Sequence, residues 1–126
     1  MRRKRVLIMD DELLIRRSAS ILLGKLGYRV EMAETGEEAI AMYREAMDTP
    51  DAIDLVLMDL TIPGGMGGEE AITELQKLDP EVKGIVFSGY SNDRVMANHQ
   101  SYGFCDAVQK PFQPDELANL IEKHTD

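Results

Sequence analysis

The chain has 126 residues, a length that suits one domain over 1–126 with a single core. Its 44% hydrophobic and 29% charged residues are those of a folded globular chain, and neither a membrane span of ~20 apolar residues nor a secretory leader is evident. A net charge of -9, with Arg2, Arg3, Lys4 and Arg5 forming one basic run, denies the footprint that a duplex binder needs, and the lone Cys105 excludes a disulfide framework, so the expectation is a cytoplasmic protein without direct nucleic-acid binding or membrane insertion.

Val6-Leu7-Ile8-Met9 is a continuous apolar run of strand length. Ile15, Ala19, Leu22, Leu23 and Leu26 then mark one face of a helix, with Gly27 as its stop. From Tyr28 to Ala33 the pattern alternates, as suits an edge strand. Thr35-Gly36-Glu37-Glu38 reads as a capping box opening a second helix that buries Ala39, Ile40 and Tyr43. Ile53 to Met58 is the run of a central parallel strand. Beyond the glycine-rich loop Gly64 to Gly68, a third helix carries Ala71, Ile72, Leu75 and Leu78 and ends at Asp79-Pro80. Ile85-Val86-Phe87 makes a fourth strand, and Val108 lies in a short fifth. Asn92 to Gln100 is the weakest helical segment, with only Val95, Met96 and Ala97 apolar, which suits a movable element. A last helix starts at Pro114 and turns Leu117, Leu120 and Ile121 inward. This alternation specifies an α/β fold with a parallel sheet and right-handed crossovers.

Ligands of such sheets bind outside the carboxyl ends of the strands. Asp10-Asp11-Glu12 follows the first strand, Asp59 the third, Ser88-Gly89 the fourth and Lys110-Pro111-Phe112 the fifth. Alone, each has an ordinary role: a helix cap for Asp10 or Asp11, a turn for Asp59 or Ser88, a solvated charge for Lys110. Together they define one rim. With the first and third strands as neighbours, Asp10, Asp11 and Asp59 converge. Two like charges ~4 Å apart repel by ~4 kcal/mol at an effective dielectric near ~20. A hard cation with oxygen ligands, Mg²⁺ or Mn²⁺, relieves that conflict and readies the site for a phosphate. Lys110 supplies a point charge for a phosphoryl oxygen.

These four motifs resemble those of the response-regulator receiver family of two-component signalling, over essentially the whole chain. The resemblance implies a flavodoxin-like three-layer sandwich, a doubly wound sheet of five parallel strands in the order 2-1-3-4-5 with five helices. It implies that Asp59 accepts a phosphoryl group from a histidine kinase or a histidine phosphotransfer domain in a Mg²⁺-dependent reaction. Asp11, Asp59 and the Thr61 carbonyl would bind the metal directly and Asp10 through water. Lys110 would contact the phosphoryl group, Ser88 would be the switch hydroxyl, and a cis peptide would precede Pro111. The phosphorylated state would be read by a downstream protein or a fused effector.

One position departs from the family pattern. Ala107 stands where an aromatic residue commonly reports the switch, and Tyr102 and Phe104 nearby read as core. Thr61 and Tyr90 would flank the path of a hydrolytic water, and His99 and His124 read as surface residues. The chain is expected not to be an enzyme beyond its own phosphorylation and dephosphorylation. The alternative is a phosphatase or phosphotransferase of the haloacid dehalogenase type, which spaces its aspartates Asp-x-Asp after the first strand. A flavin site would need a neutral first loop, and a phosphotransfer protein would lack strands. The Gly64 to Gly68 loop and the Ser88-Gly89-Tyr90-Ser91 turn are similar to receivers of hybrid sensor histidine kinases, while a free-standing shuttle is equally open.

Overall fold

In a computed structural model, which describes residues 3–89 and 94–125, five strands alternate with five helices. Arg2, Tyr90, Ser91 and Asn92 lie outside the described residues. The strands are β1 (Arg5–Met9), β2 (Arg29–Ala33), β3 (Leu55–Asp59), β4 (Gly84–Ser88) and β5 (Asp106–Gln109). They form one parallel sheet in the order β2-β1-β3-β4-β5, as expected. Register sets Met9 beside Met58, Asp59 beside Phe87 and Ser88 beside Gln109, so the ends of four strands lie side by side. Asp59 and Ser88 close their strands rather than follow them, because Leu60 N–H still donates to Phe87 O at 3.0 Å and Lys110 N–H to Ser88 O at 2.8 Å.

The two-residue period of the strands divides the apolar side chains between two cores. Val6, Ile8, Leu55, Leu57, Ile85, Phe87 and Val108 face α1 (Leu13–Lys25) and α5 (Pro114–Thr125). Leu7, Met9, Val56, Met58 and Val86 face α2 (Gly36–Ala46), α3 (Gly68–Leu78) and α4 (Arg94–Ala97). The result is a sheet between two helical layers. The cores differ in kind. Met9, Met42, Met47, Met58, Met66 and Met96 lie in or against the second, and the first contains none among the described residues. Unbranched thioethers fill irregular space and repack readily, so the side of the sheet that carries α4 is the more deformable.

Local signals account for most of the ends. Leu26, expected on the buried face, is 43% exposed because it caps α1. Gly27 N–H donates to Gly24 O and Tyr28 N–H to Leu23 O, both at 3.1 Å, and Gly27 adopts φ +95°. This is the glycine-terminated reversal that releases the chain into β2. Thr35 Oγ1 accepts from Glu38 N–H at 3.3 Å, and Glu38 Oε1 accepts in return from Glu34 N–H at 3.1 Å, so the expected box closes one residue early. Among the described residues of the weak segment, Arg94–Ala97 is helical, α4, and is followed by a 3-10 turn at His99–Tyr102 that ends on Gly103 at φ +100°. Asn98 and His99 are poor helix formers, and α4 gives way there to the tighter turn that the left-handed Gly103 closes.

Leu57, wholly buried in the central strand, and Leu14, 76% exposed on α1, give a direct check. Leu57→Ala should lower unfolding stability in urea by about 3 kcal/mol, whereas Leu14→Ala should stay within about 0.5 kcal/mol of the parent. Equal losses at the two sites would contradict this layering.

Candidate functional site

β1 delivers Asp10, and the strand geometry persists there, since Asp10 N–H donates to Ala33 O at 3.1 Å. Asp10 is fully buried, and both carboxylate oxygens are engaged. Oδ1 accepts from Glu12 N–H at 2.8 Å, which turns the chain into α1, and Oδ2 accepts from Lys110 Nζ at 2.8 Å. The local turn role and the site role of Asp10 therefore coexist. Asp59, 6% exposed, lies with its Oδ2 3.4 Å from the same ammonium, and Glu12 Oε1 lies 3.8 Å from it. Thr61 N–H donates to Asp59 Oδ1 at 3.4 Å. An open cleft of about 440 Å³ is lined by Asp11, Glu12, Asp59, Thr61, Pro63, Ser88, Gly89 and Lys110. The sequence-predicted residues thus meet, with Ser88 buried and Asp11 and Thr61 at the exposed edge.

Lys110 is aimed by its surroundings. The Lys110–Pro111 peptide is cis, as expected. The ammonium sits 4.7 Å from the centre of the Phe87 ring, against which Phe112 packs edge-on at 6.3 Å. An aromatic face attracts a cation, so the apolar part of the lysine motif also places its charge. Burial works against that charge, but the hydrogen bond to Asp10 and the charges of Asp59 and Asp10 outweigh it and hold the ammonium above its usual value. Burial likewise raises Asp10 despite its bond to Lys110. Burial and the nearby Asp10 charge push the Asp59 carboxyl from 3.8 up to about 6, with Lys110 opposing.

The donor set fits a hard divalent cation. Carboxylate oxygens of Asp10, Asp11 and Glu12 all lie within 4.8 Å of one another, and Asp59 faces the same cleft. All are oxygen donors, and Lys110 alone cannot balance them. Glu12 belongs to this tight cluster although only its neighbours were expected as ligands. Arg16 is a second residue missed by sequence reasoning. Its Nη1 donates to Asp10 O at 2.8 Å and its Nη2 pairs with Glu34 at 3.5 Å, with the side chain only 12% exposed. The available signal was a cation six residues after Asp10, within reach of the strand end across the first turn of α1.

The remaining expectations divide. Phe104 is buried and Tyr102 half-buried against the α4-side core, as expected, and Ala107 packs against the same cluster. Tyr90 lies outside the described residues. His124 does more than face solvent: its Nε2 lies 3.1 Å from Asp106 Oδ2 and its carbonyl accepts from Lys83 Nζ at 2.9 Å, which ties α5 to β5. Among the described residues no helix is long and apolar enough to cross a membrane.

A family model described as the response regulator receiver domain matches residues 6–122. The chain is 36% identical over 121 residues to the chemotaxis protein CheY of Thermotoga maritima, covering 95% of this chain and 96% of that protein. It is 36% identical over 121 residues to the CAI-1 autoinducer sensor kinase/phosphatase CqsS of Vibrio cholerae, where the match covers 94% of this chain but only 17% of the kinase. A solved structure of response regulator protein TrrA from Thermotoga maritima, in complex with Mg(2+)-BeF, is similar at a TM-score of 0.82 and 32% identity, covering 95% of this chain and 97% of that one.

The raised Asp59 value has a measurable consequence. Protonated Asp59 is favoured in the folded chain, so stability falls as pH climbs from 3.8 through about 6, and the ionised carboxylate costs stability at neutral pH. In EDTA, Asp59→Asn should therefore be more stable than the parent at pH ~7, by on the order of 1–3 kcal/mol in urea unfolding, with no advantage near pH ~4. A variant less stable at neutral pH would contradict the crowding of carboxylates.

Proposed function

The chain belongs to the response regulator receiver domain family of two-component signalling, and from that premise we propose that Asp59 is its phosphoacceptor in a reaction dependent on Mg²⁺. The observation that carries the proposal is the shared ammonium: Lys110 reaches Asp10 at 2.8 Å and Asp59 at 3.4 Å beside an open acidic cleft. A carboxyl poised at about 6 is predominantly ionised at neutral pH and serves as a nucleophile.

A carboxylate oxygen of Asp59 attacks the phosphorus of a phosphohistidine on a histidine kinase or histidine phosphotransfer domain. The P–N bond breaks, the imidazole leaves, and an acyl phosphate forms on Asp59. When bound, Mg²⁺ supplies charge neutralisation for the transferring oxygens. Asp11, Asp59 and the Thr61 carbonyl would hold it directly, with Asp10 acting through water. Lys110 shifts from Asp10 towards the new dianion, and the Ser88 hydroxyl donates to it from the end of β4. Drawing Ser88 inward pulls on α4, which packs over a methionine-rich core and is the element free to rearrange. Coupling of this kind is typically worth ~1–3 kcal/mol. A downstream protein or a fused effector reads the result, and catalysis is confined to the chain's own phosphorylation and dephosphorylation.

The relatives support both settings for such a domain, since the chain spans nearly all of CheY and a small share of CqsS. They give no support to the haloacid dehalogenase alternative. The candidate nucleophile here closes β3, whereas that alternative requires it after β1.

Acetyl phosphate with Mg²⁺ should label the chain stoichiometrically in a single turnover, and both Asp59→Asn and EDTA should abolish the label. Retained labelling in Asp59→Asn would falsify the assignment, and sustained turnover of phosphomonoesters would favour the phosphatase. Ala107→Tyr should alter binding of a downstream partner while leaving the Asp59 label intact; loss of the label in that variant would count against the placement of Ala107 in the readout.

A further inference from the structure

The segment from 60 to 67, between β3 and α3, carries Thr61 and so decides where its carbonyl stands relative to Asp59. The base of this segment is pinned on both sides. Leu60 N–H donates to Phe87 O at 3.0 Å, and Gly68 N–H donates to Leu60 O at 3.2 Å. At Gly67 a Cβ would lie 2.3 Å from Leu60 O, so only glycine allows the chain to fold back so closely.

The far side of the loop is held from outside, by α2. Gly36 N–H donates to Met66 O at 2.7 Å, and Met66 N–H donates to Glu37 Oε1 at 3.1 Å. Donor and acceptor of one peptide residue are thus both satisfied by the first turn of one helix, which fixes Met66 in direction as well as distance. The Met66 side chain packs against the α4-side core, and Gly36 is buried beneath it. Glu37 itself is exposed and does not line the acidic cleft. Hydrogen bonds from its own N–H and from Met66 hold its carboxyl below the usual range, consistent with an engaged carboxylate.

We propose that Glu37 is a positioning residue for the divalent-cation site, acting through Met66 to fix the β3–α3 segment and with it the Thr61 carbonyl. The inference rests on the reading of Asp11, Asp59 and Thr61 as the metal-binding set. It assigns to a surface glutamate on a neighbouring helix the part that an outer hydrogen bond plays around a metal ligand.

Isothermal titration of Mg²⁺ into the metal-free chain tests it. Glu37→Ala should weaken binding roughly 10-fold, the low end for loss of an outer hydrogen bond, while Glu37→Gln, whose amide oxygen still accepts from Met66, should stay within about twofold of the parent. Gly36→Ala, whose Cβ would meet Met66 O at 2.8 Å, should displace the same loop and weaken binding to a similar degree. Unchanged affinity in Glu37→Ala overturns the proposal, as does an equal loss in Glu37→Gln, which would trace the effect to charge alone. Asp59→Asn separates the two levels: if it leaves Mg²⁺ binding unaltered, the metal-site reading fails and the proposal with it. If it abolishes binding while Glu37→Ala does not weaken it, only the role of Glu37 fails.

Discussion

The structure is organised around one ammonium set among carboxylates. Lys110 is shared by Asp10, Asp59 and Glu12, and the first of these is fully buried. Taking like charges out of water together is costly unless a counter-charge accompanies them. The doubly wound sheet makes that gathering unavoidable, because β1 and β3 are neighbours at the point where the strand order reverses, and β5 closes the row. The acidic excess left after Lys110 is what gives the proposed site its appetite for a cation. A site balanced internally would have no such appetite.

Around this centre the apparatus is unequal in stiffness. The side of the sheet that packs on α1 and α5 is filled by aliphatic and aromatic residues with defined rotamers, and the Phe87 ring on that side supports Lys110. The opposite side is rich in methionine and carries α4. A rigid floor under the charges and a yielding layer beside Ser88 fit the proposed coupling of the strand ends to α4. Ala107 is small and half-buried in that layer.

Loops complete what strands begin. The strand ends bring Asp10, Asp59, Ser88 and Lys110 to a common rim, but Thr61 belongs to a segment that, among the described residues, has no sheet partner beyond Leu60. Its position depends on glycines that permit close backbone approach at Gly67 and Gly68 and on the first turn of α2. Arg16 performs a similar service for the Asp10 peptide from α1. Helices on both faces therefore reach into the rim, and the site is a property of the whole fold.

Much of this was legible from residue order alone. Apolar runs of strand length, helical periodicity, the Gly27 stop and the Thr35 cap act over a few residues, so the elements and the α/β class could be read directly. The acidic pair, Asp59, Ser88 and Lys110 stood out because each lies at a strand end, where a parallel sheet displays its chemistry. The contacts that hinge on distance in space were not legible. Asp10 accepting from Glu12 N–H and from Lys110 on separate oxygens, the ring of Phe87 beneath Lys110, Arg16 against the Asp10 carbonyl and the Glu37–Met66 pair all join residues whose spacing in sequence carries no periodic signal. Short-range preferences were enough to specify elements and the rim they share; the balance of charge and the hold on the loop arise only when desolvation and packing act on groups that the fold has brought together.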